Sequence, residues 1–426
     1  MSRGIFKALL TLALASLLIS CFPKVAVEPT HEPVTLRFAY RKYTVELQSL
    51  LEQFQSQYPW IKIETVEASR FGGQITQMVR MGNVDVFRDG RQALSFAQQG
   101  FLWPLDEVQL GDWSDIRDDY FKGAWEGLNI QGQQWGIPAA IDVSVVYVNM
   151  DQADALRLQV PGGEWDLNDF VELVNKMNFP EGLGHSNPKL FGFCTSPELP
   201  DPILFVYLHG GKIVDNINAP SAPTFDDPLT VEAIKWYTDL FNYYQVAPAP
   251  IAIRQAFRRG GIYEAVVRGA CGVWLGWYSN RGGLDTPYHW TCEWKMLPLP
   301  HDRTTLAFAD VEGYFITKNC THPQEALKLI RFLSDHWEAA GTRLPPRRSQ
   351  AQSEAYLRSV REDVANVVQG LPSQIIIVPG QSSQLLEKAG GLFLQAVQRS
   401  VNEGIPADEV LSEAQRQAKS LFQSFQ

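Results

Sequence analysis

A chain of 426 residues is longer than one ordinary domain, so two lobes or domains are expected. Apolar residues at 45% and charged residues at 20% give the balance of a globular protein, which excludes disorder over most of the length. The formal net charge is −10 and the basic residues are dispersed, so the electrostatic footprint of a nucleic-acid binder is missing.

The N-terminus reads as a signal peptide over 1–20. Arg3 and Lys7 precede an apolar stretch over 8–19, broken only by Thr11 and Ser16 and too short to span a bilayer comfortably. The segment Leu18-Ile19-Ser20-Cys21 resembles the bacterial lipobox. That likeness implies a diacylglycerol on Cys21 and a chain held at a membrane surface without crossing it. Residues 21–33, with Pro23, Pro29 and Pro33, read as a tether. Cys194, Cys271, Cys292 and Cys320 remain, and their three full pairings stay open. Without a CxxC or a His at ligand spacing, no metal and no cofactor is expected.

Beyond the tether, residues 34–40 alternate like a strand. Val45, Leu47, Leu50, Leu51 and Phe54 mark one face of a helix over 44–57 that Pro59 stops, and 61–66 alternate again. Strand, helix and strand at this spacing form a βαβ unit and predict an α/β fold. A helix over 74–81 and a short strand over 84–87 follow. Further strands are expected over 143–148, 271–277 and 314–317, and helices over 165–177, 229–244 and 323–334. The last eighty residues are mainly helical in pattern, with heptad-like spacing over 407–422.

Taken in order, these segments resemble extracellular solute-binding protein family 1, the group that includes maltose-binding protein. The likeness is carried by Val84-Asp85-Val86, by Gly100 to Asp106 (GFLWPLD), and by Gln134 to Pro138 followed by Val146 to Asp151. It is also carried by Gly163-Glu164-Trp165-Asp166, Gly210 to Asp215, Leu297 to Pro300, Gly313 to Ile316, His322 to Ala326 and Arg343 to Ser349. Val84 stands where the family usually has Pro. The resemblance implies a two-lobed, periplasmic-binding-protein-like α/β fold with a three-segment hinge and a ligand cleft. The lobes would be 34–140 plus 299–340 and 141–298 plus 341–426, with crossings near Asp142, Leu299 and Arg343. It further implies a monomer outside the cytoplasm that carries a small ligand, such as a sugar, to the permease subunits of an ABC importer.

A sugar has an apolar ring face and a rim of hydroxyls, so its site wants aromatic walls beside carboxylates, amides and guanidinium groups. Trp274, Trp277 and Tyr278 form the best aromatic cluster. Trp274 and Tyr278 share strand parity, and Trp277 points the other way. Trp277 is preferred because it follows Gly276 at the expected strand end. Tyr40 and Arg41 end the first strand, where open α/β sheets place ligands, and Asp89 sits by the next such end. By resemblance, Asp142 falls where the family often places a ligand carboxylate. Glu312 and Tyr314 flank Gly313, Arg348 lies near the third crossing, and Trp135 completes the candidates. The competing readings are core packing for the aromatics, capping for Asp142 and an ordinary surface position for Arg348.

Three other functions were weighed. A secreted glycosidase needs two carboxylates across a cleft; the chain has no GxSxG, HExxH or P-loop. A polyamine, or a sugar phosphate or glycerophosphodiester, could occupy the same fold, the latter two through Arg41, Arg88 or Arg348. A ligand sensor for a receptor is the last.

Overall fold

The computed structural model describes residues 31–41, 44–68, 74–108, 114–179, 190–217, 219–257, 260–283, 289–372, 375–377 and 384–425. The signal-peptide stretch, Cys21 and the first part of the tether lie outside the described residues.

Nine strands form one mixed sheet: β1 (Val34–Tyr40), β2 (Ile61–Glu67), β3 (Val86–Gly90), β4 (Gly136–Asn149), β5 (Phe191–Cys194), β6 (Cys271–Trp277), β7 (Trp294–Leu297), β8 (Ala307–Ile316) and β9 (Ile375–Ile377). The spatial order is β2-β1-β3-β8-β4-β6-β5, with β9 on β8 and β7 on β4. The βαβ unit read from the sequence is present: β1 and β2 are parallel, in register from Val34↔Ile61 to Tyr40↔Glu67. Helix α1 (Val45–Gln57) joins them. It starts on Thr44, whose hydroxyl accepts from Leu47 N at 3.2 Å, and it buries Leu47, Leu50, Leu51 and Phe54.

Two strands are far longer than their apolar runs suggested. β4 begins at Gly136, seven residues before the expected start, and β8 begins at Ala307. Both are central, so almost every residue on either face is buried and alternation disappears from the sequence. These two strands are shared between the halves of the molecule. Along β4 the partner is β8 up to Val143↔Ala309 and β6 from Ser144↔Trp277 onward. The halves of the sheet therefore join between Val143 and Ser144. A third passage runs alongside, since Leu344 bridges Ile141.

Two of the expected lobe boundaries need correction. Residues 301–304, expected in the N-terminal lobe, bond to the other half: His301 bridges Asp166, Thr304 N donates to Leu208 O at 3.1 Å, and Arg303 pairs with Glu232 at 2.9 Å. Residues 347–349, expected in the C-terminal lobe, instead bond to Asp119, Arg347 at 2.8 Å and Ser349 N at 2.9 Å. The chain changes half within β8 and after Ser349, because the packed partners, not the turn residues, set the boundary.

Three buried clusters hold the fold. One packs β1, β3 and α1 with helix α8 (Pro323–Ser334). The second lies under the C-terminal half. It includes α3 (Leu167–Lys176), α4 (Asp201–Leu208), α5 (Pro228–Asn242) and the long helices α9 (Gln384–Glu403) and α10 (Ala407–Phe425). The third runs across both halves behind β4 and includes α2 (Gln74–Met81), α6 (Pro250–Phe257) and α7 (Gly261–Val267). α3 opens with a reciprocal capping box between Asp166 and Asp169.

Candidate functional site

β5 ends at Cys194, opposite Trp274, whereas β6 continues to Trp277. The Cys194–Cys271 disulfide ties the two strands, and Cys292 and Cys320 are buried thiols. Past Cys194 the chain turns away into α4, so the last residues of β6 project beyond their neighbour. A cavity of about 1040 Å³ opens there, at the upper end of the range for small-molecule sites (~300–1,000 Å³). Trp274, Leu275, Trp277, Trp290 and Phe308 supply its flat apolar walls. Ser144, Thr195, Ser196, Glu198, Asp201 and Asn280 supply polar groups.

These polar groups are held. Asp201 lies in the first turn of α4, where the helix end favours negative charge. It accepts from Thr195 Oγ1 at 2.7 Å, and that hydroxyl also lies 2.9 Å from Tyr237 OH. Burial pushes the Asp201 carboxyl up to about 6, against the Thr195 hydrogen bond. Glu198 pairs with Arg254 at 3.0 Å. Trp277 is fixed at both ends of its backbone: its N–H donates to Asn280 Oδ1 at 3.1 Å and its carbonyl accepts from Tyr147 OH at 2.8 Å.

Strand register connects this cavity to a charged cluster at the junction of the halves. Asp310 pairs with Asp142, Glu312 with Ala140 and Ser144 with Trp277. Side chains alternate along a strand, so Asp142, Ser144, Phe308, Asp310, Glu312 and Trp277 share one face. Arg343 lies over the acids, 3.2 Å from Asp142, 3.8 Å from Asp310 and 3.3 Å from Glu312, and Arg88 meets Glu312 at 2.8 Å. Burial works against the charge of Glu312, but Arg88 and Arg343 outweigh it and hold its pKa below the usual value. Burial wins at Asp142, which is raised despite Arg343, and at Asp310, pushed up to about 6. Asp142 also accepts from Ser279 N at 2.9 Å and Ser279 Oγ at 2.6 Å. It thereby fixes the turn between Trp277 and Asn280.

Of the residues singled out by sequence, Trp274 and Trp277 line the cavity. Trp277 stands on the face shared with Asp142. Trp274 points the other way, stacked on Tyr147 with ring centroids 5.7 Å apart. Tyr278 is fully buried, and its hydroxyl lies 2.6 Å from Tyr356 OH. Arg41 and Asp89 pair at 2.6 Å at the ends of β1 and β3. Arg88 and Asp89 lie inside β3, which runs on to Gly90, rather than beyond its end. Tyr40 and Tyr314 are buried with the core around β1, and Trp135 is half-buried against the cross-half core. Arg348 donates to Asp118 O at 2.6 Å. Asp142, Glu312 and Arg348 are thus held by protein partners, and Asp142 acts on the cavity by positioning the turn after Trp277.

Sequence reading missed Thr195, Glu198, Asp201 and Asn280. Thr195 to Asp201 follow the C-terminal end of β5, where the rule applied to β1 and β3 would have pointed to them.

A sheet in two halves with an aromatic, partly polar cavity beside the shared strands defines a receptor for a small solute. The chain belongs to the bacterial extracellular solute-binding proteins, whose family model matches residues 42–336. It is therefore an extracellular solute-binding protein of the ABC-transporter type. Binding proteins of Brucella abortus (strain 2308) and Brucella suis biovar 1 (strain 1330) are each 21% identical over 350 residues, 78% of this chain and 78% of theirs. Among solved structures, the fold is similar to a cyclo/maltodextrin-binding protein complexed with maltotetraose (TM-score 0.71, 14% identity, 94% of this chain and 100% of that one). It is similar to an ABC substrate-binding protein from Listeria monocytogenes in complex with cycloalternan (TM-score 0.69, 16% identity, 91% and 99%). A Mycobacterium tuberculosis protein in complex with glycerophosphocholine is also similar (TM-score 0.69, 14% identity, 93% and 99%). At these identities the likeness shows the fold alone.

Asp201 gives the cavity a pH dependence. Its carboxyl is a stronger acceptor for ligand hydroxyls when ionised, so affinity should rise from pH 5 to pH 7 as the group titrates near 6. The ligand-free protein should change the opposite way. A carboxyl whose folded pKa is raised contributes stability at low pH, and that contribution is lost as pH rises through about 6. Calorimetric titration for affinity, and thermal unfolding of the ligand-free protein for stability, should show both trends flattened in Asp201→Asn; an unchanged affinity profile in that variant would remove Asp201 from the site.

Proposed function

We propose that the protein binds a sugar, as a mono- or oligosaccharide, in this cavity and delivers it to the membrane permease of an ABC importer by closing one half on the other. The observation that carries this reading is the placement of Trp277 beside Asp201, Glu198 and Asn280. A flat indole suits the C–H face of a sugar ring, and fixed acceptors suit its hydroxyls.

The charge pattern favours a neutral cargo. Glu198 is neutralised by Arg254, so Asp201 is the one lining carboxylate without a cation partner among the described residues. One carboxylate is little for a polyamine with several ammonium groups. The arginines that a phosphate ester would need are engaged: Arg41 by Asp89, Arg88 by Glu312 and Arg254 by Glu198. The complexes with maltotetraose and cycloalternan support the reading, and the one with glycerophosphocholine keeps phosphodiesters among the compounds worth testing.

Thermal shift against mono- and oligosaccharides, polyols, sugar phosphates and polyamines should give a saturable rise with a neutral sugar, since binding to the native state alone stabilises it. Trp277→Ala should weaken that binding at least tenfold. A shift with a polyamine or phosphate ester and none with sugars would overturn the cargo.

The lipobox-like Leu18-Ile19-Ser20-Cys21 supports a protein anchored outside the cytoplasm through lipid on Cys21. Fractionation of cells should find the protein with the membrane and Cys21→Ser in the soluble fraction. Equal partition of the two would remove the anchor.

A further inference from the structure

The cavity has walls from both sides of the sheet. Leu275, Trp277 and Phe308 belong with the core beneath the C-terminal half, whereas Ile253, Val266 and Trp274 belong with the core behind β4. All six line one cavity because β5 stops at Cys194 and leaves the edge of β6 uncovered beyond Trp274. Around that edge the cavity has an inner wall of Ile253, Ile262, Val266, Trp274 and Trp290, none of which carries a charge. Trp290 meets Trp274 edge to face, with centroids 5.1 Å apart and planes at 85°.

One polar atom in this inner wall is unspent. Trp274 is only 3% exposed, and its indole Nε1 has no hydrogen-bond partner among the described residues. That nitrogen is itself covered, so Trp274 offers the cavity ring carbon and no reachable donor. The whole inner wall therefore suits an apolar group. Hydroxyls moved there would lose water without gaining partners, whereas a ring or alkyl group would be stabilised by burial. The approach is apolar as well: Leu199 and Tyr263, at 41% and 36% exposure, line the same cavity.

We propose that the inner part of the cavity is a subsite for an apolar substituent, packed against Ile262, Trp274 and Trp290. The cargo is then a glycoside or similarly substituted polyol bearing an aryl or alkyl group, rather than a fully hydroxylated glycan. This rests on the sugar reading of the outer part, where Trp277, Asp201 and Asn280 meet the polyol.

The test is calorimetric titration of the protein with methyl and para-nitrophenyl glycosides of glucose, galactose, mannose and xylose, matched in anomer. For each sugar that binds, the para-nitrophenyl member should bind at least tenfold more tightly. Ile262→Gln should erase that advantage and leave the methyl glycoside unaffected. Equal affinities within the pairs for the wild-type protein would overturn the subsite and leave the sugar reading standing. Failure of every member of every pair to bind would overturn both.

Discussion

Everything else in this structure depends on two strands belonging to both halves. β4 and β8 cross from one half of the sheet to the other without a break, and the neighbour of β4 changes between Val143 and Ser144. At that level three carboxylates, Asp142, Asp310 and Glu312, stand on one face of the ribbon. Unpaired buried charges would be prohibitive, so the cluster is tenable only because Arg343 reaches all three and Arg88 shares Glu312. Asp142 couples the cluster to the cavity: through Ser279 it holds the turn that sets Trp277 and Asn280 in place.

That arrangement suits a molecule that must change shape without losing its core. The halves share strands and buried ions at the junction, while the cavity lies just beyond it, floored by Ser144 and Phe308 of the shared strands. The lining comes from the C-terminal half and the shared strands, so a solute held there would gain contacts with the other half, and be retained most tightly, only on closure. Its preference for the closed arrangement is the free energy that shifts the population. Hinge motion of this kind is a known behaviour of periplasmic binding proteins as a class.

The sequence disclosed much of the frame and little of the site. The βαβ unit, helix α3 and the short strand ending at Trp277 were legible because local periodicity dictates them. The full lengths of β4 and β8 were not, because strands buried on both faces lose alternation. Trp277 could be chosen over Trp274 by its place after Gly276. However, Trp274 also reaches the cavity, because β5 stops short of the end of β6, and strand lengths decide that rather than residue type. Asp142, Glu312 and Arg348 were legible as chemistry but not as partners: only the fold shows that Ser279, Arg88 and Asp118 hold them. Asp201 was missed because Thr195 to Asp201 reads as an ordinary polar loop before a helix, and its perturbed carboxyl arises from packing against α5 and its Tyr237.

The central claim is that one half closes on the other around a solute held beside the shared strands. Small-angle scattering with and without a saturating ligand measures this most directly. The account predicts a smaller radius of gyration with ligand and no change in molecular mass. An unchanged radius at demonstrated saturation would contradict closure.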